Sequence, residues 1–192
     1  MAQDAKPGLS LDVPADGGPL SAPKPTYVCE VPTPPDRRRW IEPGASVRRD
    51  ILARARSIAI VGASANPARA SYFVATYLLQ STGYDVYFVN PTVREILGHP
   101  VYPDLASLPV VPDIVDVFRR PSQIRPIVDE AAAVGSPVFW IQLGIWDDDL
   151  AEYAESRGLQ VVMDRCVKIE HARFHRGLHL FGFNTGYITS KR

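Results

Sequence analysis

The feature that most constrains this chain is a rhythm of short apolar runs alternating with helical periods. Ser57-Ile58-Ala59-Ile60-Val61-Gly62 is one such run, closed by glycine. Tyr84 to Val89, ended by Asn90-Pro91, is a second, and Ile114 to Phe118 is a third. Pro137 to Leu143, ended by Gly144, and Gln160 to Met163 complete the set. Runs this short, without polar alternation, read as strands buried on both faces. Between them lie segments with apolar residues at helical spacing. Ser46 to Arg56 places Val47, Ile51, Leu52 and Ala55 on one side, and Ser71 to Gln80 repeats Phe73, Val74, Tyr77 and Leu78. Gln123 to Val134 stops at Gly135. Asp147 to Arg157 stops at Gly158 and carries three acids in its first turn, which suits the positive end of a helix dipole. Parallel strands need crossovers, and right-handed helical crossovers place helices on both faces. The expected fold is α/β: a Rossmann-like, doubly wound parallel sheet of five strands.

Proline marks where that rhythm begins. Nine of the 18 prolines fall in the first 50 residues, from Pro7 to Pro43. Each removes a backbone donor and fixes φ, so neither helix nor sheet propagates there. Residues 1–43 are read as a proline-rich tail, disordered or docked on the surface, and residues 44–192 as a single domain. Tyr27, Val28, Val31, Trp40 and Ile41 would anchor a docked second half, while Arg37-Arg38-Arg39 reads as a solvated charge run. The 192 residues carry 21 Lys plus Arg against 21 Asp plus Glu, without the basic excess of a nucleic-acid or anionic-membrane binder. Cys29 and Cys166 form no disulfide framework. No apolar run approaches a membrane span, and the N-terminus lacks the basic-then-apolar pattern of a signal peptide. A cytoplasmic protein with a small-molecule ligand is expected, with neither nucleic acid nor membrane as partner.

In an open parallel sheet, ligands bind beyond the carboxyl ends of the strands, where the strand order reverses. The first strand is followed by Gly62-Ala63-Ser64-Ala65-Asn66-Pro67-Ala68-Arg69-Ala70-Ser71 and then a helix. Small residues allow close backbone approach, and a helix start offers unpaired N–H groups to an anion. Ser64, Asn66, Arg69 and Ser71 add side-chain donors for a phosphate. An ordinary turn capped by Ser71 is the other reading. The loop keeps only Gly62 of a GxGxxG pattern, and the second strand ends in Val89-Asn90-Pro91-Thr92 with no acid for ribose hydroxyls. Both departures count against a nicotinamide dinucleotide. Asn90 and Thr92 could contact a ribose or an adenine edge, with Arg94 nearby, or Asn90-Pro91 could simply be a turn. Arg119 and Arg120 follow the third strand at a helix start, where positive charge opposes the dipole and so suits a polyanion; a solvated pair is the plain alternative. Gln142-Leu143-Gly144 ends the fourth strand, with backbone groups able to bond a ligand's amides. Trp146 could cover an apolar arm, and Trp140 reads as core.

These residues resemble a known family, the CoA-binding domain proteins, small stand-alone relatives of the CoA-binding domain of the succinyl-CoA synthetase α subunit. The matching stretches are Ile60 to Pro67, Val89-Asn90-Pro91, Glu95 to Tyr102, Asp113 to Arg120 and Trp140 to Gly144. Val162 to Cys166 with Lys168-Ile169-Glu170, and Phe183 to Arg192, extend the likeness. The resemblance implies coenzyme A, or an acyl-CoA, lying across the strand ends. It places a diphosphate region at Ser64 to Pro67, the nucleotide end near the turn after Val89, and the pantetheine arm along Gln142 to Gly144. With the charged and polar groups read above, the candidate binding set is Gly62, Ala63, Ser64, Ala65, Asn66, Pro67, Arg69, Ser71, Asn90, Pro91, Arg119, Gln142, Leu143 and Gly144. The larger synthetases add a domain with a phosphorylated histidine and a nucleotide-binding partner subunit. This chain is too short for that domain, so a CoA ligase reaction by it alone is not expected. Cys166-Val167-Lys168-Ile169-Glu170 stands where small members have Cys-Pro-Lys-Ile-Glu, a change expected to loosen the loop without removing binding.

No catalytic residue and no metal site is assigned. Cys166 lies near Arg165 and Lys168, whose charge would favour thiolate. A mixed disulfide with the CoA thiol and an unreactive structural cysteine are its two readings. A Cys166/His171 nucleophile pair lacks an identifiable orienting acid or oxyanion loop. His171, His175 and His179 recur every four residues, but Gly177 interrupts a helix there and no acid or cysteine completes a ligand set. Phe174 to Tyr187 reads as packing on the sheet or on a second subunit, which leaves a homodimer or another protein partner open. The expectation is a CoA or acyl-CoA binding protein without catalysis of its own, in a sensing, carrier or regulatory role. The alternatives are an NAD(P)-binding oxidoreductase-like protein, an acyl-transfer accessory subunit, or a structural module with an empty site.

Overall fold

The computed structural model describes residues 37–175. Seven strands follow in chain order: β1 (Ser57–Val61), β2 (Asp85–Val89), β3 (Glu95–Ile96), β4 (His99–Tyr102), β5 (Ile114–Val117), β6 (Val138–Ile141) and β7 (Gln160–Val162). The helices are α1 (Ala45–Arg54), α2 (Ala70–Ser81), α3 (Arg125–Val134), α4 (Asp148–Ser156) and α5 (Val167–His175), with a 3-10 turn at Pro121–Gln123 before α3. The five apolar runs are β1, β2, β5, β6 and β7, paired in parallel. The sheet order is β3-β4-β2-β1-β5-β6-β7. The chain leaves β1 toward β2 and returns on the other side of β1 through β5, so the order reverses between β1 and β5.

The two strands beyond the expected five form an antiparallel hairpin, Glu95 opposite Pro100 and Ile96 opposite His99. Leu97 and Gly98 turn it with φ of 52° and 78°, both left-handed, the geometry that matches the twist of tight hairpins. β4 then joins β2 in parallel at Phe88 and Val89. The sheet is Rossmann-like with this hairpin added at one edge.

Residues alternate strictly between two covered faces. Ala59, Val61, Val115, Val117, Phe139, Ile141 and Val161 pack with Val128 and Ala131 of α3 and Leu150, Ala151 and Ala154 of α4. Ile58, Ile60, Phe88, Ile114, Trp140 and Val162 pack with Ile51 and Leu52 of α1, Val74 and Leu78 of α2, and Val167 of α5. Trp140 is core, fully buried, its indole N–H donating to the Arg165 carbonyl at 2.7 Å.

Two helices present faces that differ from the expected ones. α1 buries Arg48 with Ile51 and Leu52 and leaves Val47 exposed. The arginine goes inward because Glu170 of α5 and Glu42 accept from its guanidinium, at 2.8 and 3.1 Å. α2 turns Val74, Ala75 and Leu78 inward and Phe73 to solvent.

The segment before α1 lies against α4 and the end of β7. Trp40 is buried against Trp146, ring centroids 5.5 Å apart, and its indole donates to Glu155 at 2.9 Å. Asp148 accepts from the backbone N–H of Trp40 and Arg39. Arg38 is not a solvated charge: its guanidinium stacks 3.6 Å over Trp146 and pairs with Asp164. Arg39 is exposed, paired with Asp149 at 2.6 Å. Glu42 grips Arg165 with both oxygens, at 2.5 and 2.6 Å. Tyr27, Val28, Cys29, Val31, His179 and the stretch 183–192 lie outside the described residues. Among the described residues no helix is long and apolar enough to cross a membrane.

Candidate functional site

The carboxyl edge of the sheet is built around Gly62. Its N–H donates to the Val89 carbonyl at 2.9 Å, and the Val61 carbonyl accepts from Phe118 N–H at 2.8 Å, so the residue is clamped between β2 and β5. Its φ is +84°, and a Cβ there would run into the Phe118 carbonyl and stand 3.1 Å from Arg119 Cδ. Glycine is the residue that meets both conditions.

Ala63 is buried, and its carbonyl accepts from Asn90 Nδ2 at 2.7 Å. Asn90 Oδ1 accepts from the N–H and hydroxyl of Thr92, at 3.0 and 2.9 Å, and its own N–H donates to Tyr102. The side chains offered to a ribose are thus engaged with the protein. Asn90 braces the loop after β1 against the β3–β4 hairpin, with Pro91 exposed beside it.

The loop after Ala63 is a pair of short side-chain-closed turns. Ser64 Oγ accepts from Asn66 N–H at 3.2 Å, and Asn66 Oδ1 accepts from Ala68 N–H at 2.9 Å. Asx and Ser turns of this kind fix the backbone without secondary structure. Ala65, Asn66, Pro67 and Arg69 are exposed. α2 begins after Arg69 with no side-chain cap; Ser71 is buried in the first turn and is not the cap. Tyr72 N–H donates to the Arg69 carbonyl at 3.0 Å, and the N–H groups before it face the positive end of the helix without a side-chain cap.

Arg38, Arg39, Arg48, Arg49, Arg157, Arg165 and Arg173 are in ion pairs. Away from the carboxyl edge Arg54 donates to the Asp50 carbonyl and Arg125 stacks on Tyr153, and these two, with Arg37 and Arg56, have no ion pair among the described residues. Among the described residues Arg69, Arg94, Arg119 and Arg120, all on loops at the carboxyl edge, have no ion pair and no side-chain hydrogen bond. Arg119 is half-buried beside Gly62; the others are exposed.

One strand further along, β6 ends in Gln142, Leu143 and Gly144. Leu143 is half-buried on the α1–α2–α5 side. Gly144, at φ +87°, donates its N–H to Asp164 Oδ1 at 2.8 Å, so this amide is already engaged. Trp146 is occupied by Trp40 and Arg38. Gln142 is nearly buried, and its Nε2 donates to Asp116 Oδ1. Asp116 has no exposed surface. Burial pushes its carboxyl up to about 8, opposed by the Gln142 hydrogen bond, and its Oδ2 has no partner. Sequence reading passed over Asp116 as part of an apolar strand; the signal was the lone acid inside Ile114-Val115-Asp116-Val117.

Cys166 differs from its expected chemistry. Arg165 is held by Glu42, and burial of the thiol raises its pKa. The charge of Asp116 adds to the rise, and the N–H groups of Ile169 and Lys168 with the Lys168 charge only partly offset it. Those cations do not make it a thiolate. His171 is buried, its Nδ1 3.0 Å from the Tyr77 hydroxyl and its ring stacked on His175 at 4.3 Å.

The strand order, reversing between β1 and β5, makes this a Rossmann-like α/β protein. Comparison with known sequences narrows the class: the family model described as CoA binding domain matches residues 56–172, and the chain belongs to that family. It is similar to uncharacterized protein YneT of Bacillus subtilis strain 168, 36% identical over 130 residues that make up 68% of this chain and 96% of that one. A hypothetical protein from Pyrococcus horikoshii OT3, of known structure, superposes with a TM-score of 0.65 at 37% identity, covering 69% of this chain and 92% of that one. The acetate–CoA ligase (ADP-forming) I of Archaeoglobus fulgidus is 28% identical over 120 residues, 57% of this chain. The match spans only 17% of that ligase's length.

Proposed function

We propose that this protein binds coenzyme A, or an acyl-CoA, across the carboxyl edge of the sheet and catalyses no reaction of its own. The observation that carries the reading is the gathering of Arg69, Arg94, Arg119 and Arg120 on the loops of the carboxyl edge. All four lack an ion pair, and they stand about an uncapped helix start and a glycine-pinned strand end. Leaving guanidiniums unpaired on one edge favours a polyanion, and coenzyme A carries a diphosphate and a third phosphate. Membership of the CoA-binding domain family supports the same ligand. The raised thiol pKa of Cys166 supports a non-catalytic role, because the thiolate is the nucleophile. A cytoplasmic sensing, carrier or regulatory function fits these features.

Calorimetric titration of the reduced, extensively dialysed protein with CoA, ADP and NAD tests this. Micromolar binding of CoA, tighter than ADP, is expected, since the pantetheine arm adds contacts. Tighter binding of NAD would move the protein to the oxidoreductase-like class. No binding of any of the three by the folded protein would refute the reading.

A further inference from the structure

Asp116 sits mid-strand, between Ile60 of β1 and Trp140 of β6 in the sheet register. Gln142 follows Trp140 by two residues, so it lies on the same face, one pleat nearer the crevice. Their side chains meet through Gln142 Nε2 and Asp116 Oδ1, while Asp116 Oδ2 is left without a partner in the interior. Gln142 keeps 8% of its surface exposed, and its Oε1 accepts no hydrogen bond among the described residues. An orphaned buried carboxyl oxygen is rare and costly, and the apolar packing around it gains nothing from it.

The chemistry of the two groups links them. An ionised carboxylate only accepts, so it turns the Nε2 of a facing amide inward and leaves Oε1 outward. A neutral acid has one O–H to donate. Donating it to Oε1 leaves behind a lone carbonyl rather than an orphaned O–H, the less costly of the two, and turns Nε2–H outward. We propose that Asp116 is a positioning residue that decides which end of the Gln142 amide faces the pantetheine arm of bound CoA, an acceptor when Asp116 is ionised and a donor when it is neutral. The inference rests on the CoA reading above. One end of the Gln142 amide matches the arm's group that faces it and the other does not, so one state makes a hydrogen bond to the arm that the other lacks.

Burial places the exchange in the neutral-to-alkaline range. Cys166 at the start of α5 interacts electrostatically with Asp116, and Lys168 lies on the same turn. Of the other charged or titratable groups on this side, Arg48 pairs with Glu170, Tyr77 meets His171, Tyr84 donates to the Leu52 carbonyl, and His99 lies edge-on to Phe88. Arg119 stands beside Gly62 at the carboxyl edge.

The test is titration of wild type, Asp116→Asn and Gln142→Leu with CoA and with ADP, from about pH 6.5 to about pH 9.5. The ratio of wild-type to Asp116→Asn affinity cancels the ligand's own ionisation. For CoA that ratio is expected to change about tenfold over the range, the scale of one hydrogen bond. For ADP, which lacks the arm, it stays flat, and Gln142→Leu gives the same flat profile as Asp116→Asn. Parallel CoA profiles for wild type and Asp116→Asn overturn the inference while leaving CoA binding intact. Binding of neither ligand by wild type removes the CoA reading and this inference with it. Should Asp116→Asn not fold, Gln142→Leu against wild type carries the same comparison. The side-chain amide resonances of Gln142 give a ligand-free readout: they shift with pH if the amide exchanges ends, and their constancy overturns the inference.

Discussion

Arg48 and Glu170 meet in the interior, Nε to Oε2 at 2.8 Å, and tie α1 to α5. Their side chains are 7% and 5% exposed. Glu42 bridges Arg48 to Arg165, and Arg173 adds a second cation beside Glu170. Removing one partner of such a pair leaves the other charge buried, at a cost of about 3–5 kcal/mol. Arg48→Met keeps the apolar stem and removes the charge, so it isolates that cost. Urea unfolding is expected to show a loss of about 3 kcal/mol. The double variant Arg48→Met/Glu170→Leu is expected to recover part of it, because the buried carboxylate that Arg48 leaves behind is then removed as well, while Arg173 loses its Glu170 partner. A single variant within about 1 kcal/mol of wild type would mean that solvent reaches the pair.

Gly62→Ala tests the close approach of the Phe118 backbone at the carboxyl end of β1. Gly62 and Gly135 share nearly the same φ, +84° and +80°, but only Gly62 has backbone in the path of a Cβ; Gly135 has open space. Gly135→Ala is expected to cost only the left-handed strain, about 1 kcal/mol. Gly62→Ala is expected to cost at least about 2 kcal/mol, because the Phe118 backbone must move as well. It should also weaken CoA binding, since Arg119 moves with Phe118. Equal losses in thermal or urea unfolding would show that the contact with β5 is not limiting.

The parallel sheet was legible because its strands are short, mostly apolar runs, three of them ended by Gly62, Asn90-Pro91 or Gly144. The β3–β4 hairpin was not. Its strands have two and four residues, one contains Pro100, and its turn puts a leucine at positive φ where Asn-Gly or Asp-Gly would have signalled it. Helix faces failed where a charge took an apolar place: Arg48 enters the core only because Glu170, 122 positions away, is there to receive it. The loops of the candidate site were legible as neighbours at the strand ends, since topology alone places those together. How Asn90 spends its amide, and the meeting of Asp116 with Gln142, depend on contacts between strands distant in sequence. No periodicity reports such contacts.

Reversing charge at the carboxyl edge should act on binding and hardly on stability. Arg69 and Arg119 have no carboxylate to lose, so Arg69→Glu and Arg119→Glu are each expected to weaken CoA affinity about tenfold or more. The loss should shrink as salt is raised, most for exposed Arg69. Arg157 precedes β7 at the opposite edge of the sheet, paired with Asp129 at 3.1 Å. Arg157→Gln should leave affinity unchanged by calorimetry. Wild-type affinity in both edge variants would remove the phosphate assignment.

Cys166 should react slowly in the folded protein. Its buried thiol has a raised pKa, with the Asp116 charge adding to the effect of burial. In a Cys29→Ser background, alkylation by iodoacetamide near neutral pH is expected to be at least about tenfold slower than that of free cysteine, and to become fast in urea. Reaction at the free-cysteine rate in the native state would reopen a nucleophilic role for this residue.

Stability itself should fall with pH because of Asp116. Burial raises its carboxyl from 3.8 to about 8 in the folded chain. Between those values the folded chain holds a proton that the unfolded chain has released, so raising pH favours unfolding throughout the window. The contribution is fully present below about pH 4 and is lost as pH rises through about 8. Asp116→Asn keeps the shape and carries no such proton. The stability of wild type relative to this variant is therefore expected to decline with pH, by at most about 1.4 kcal/mol for each unit between about 4 and 8. Urea unfolding of both proteins at about pH 5 and about pH 8 measures that difference, in which every other titrating group cancels. Curves that stay parallel would mean that Asp116 is ionised in the fold, with water or a counter-charge at its Oδ2.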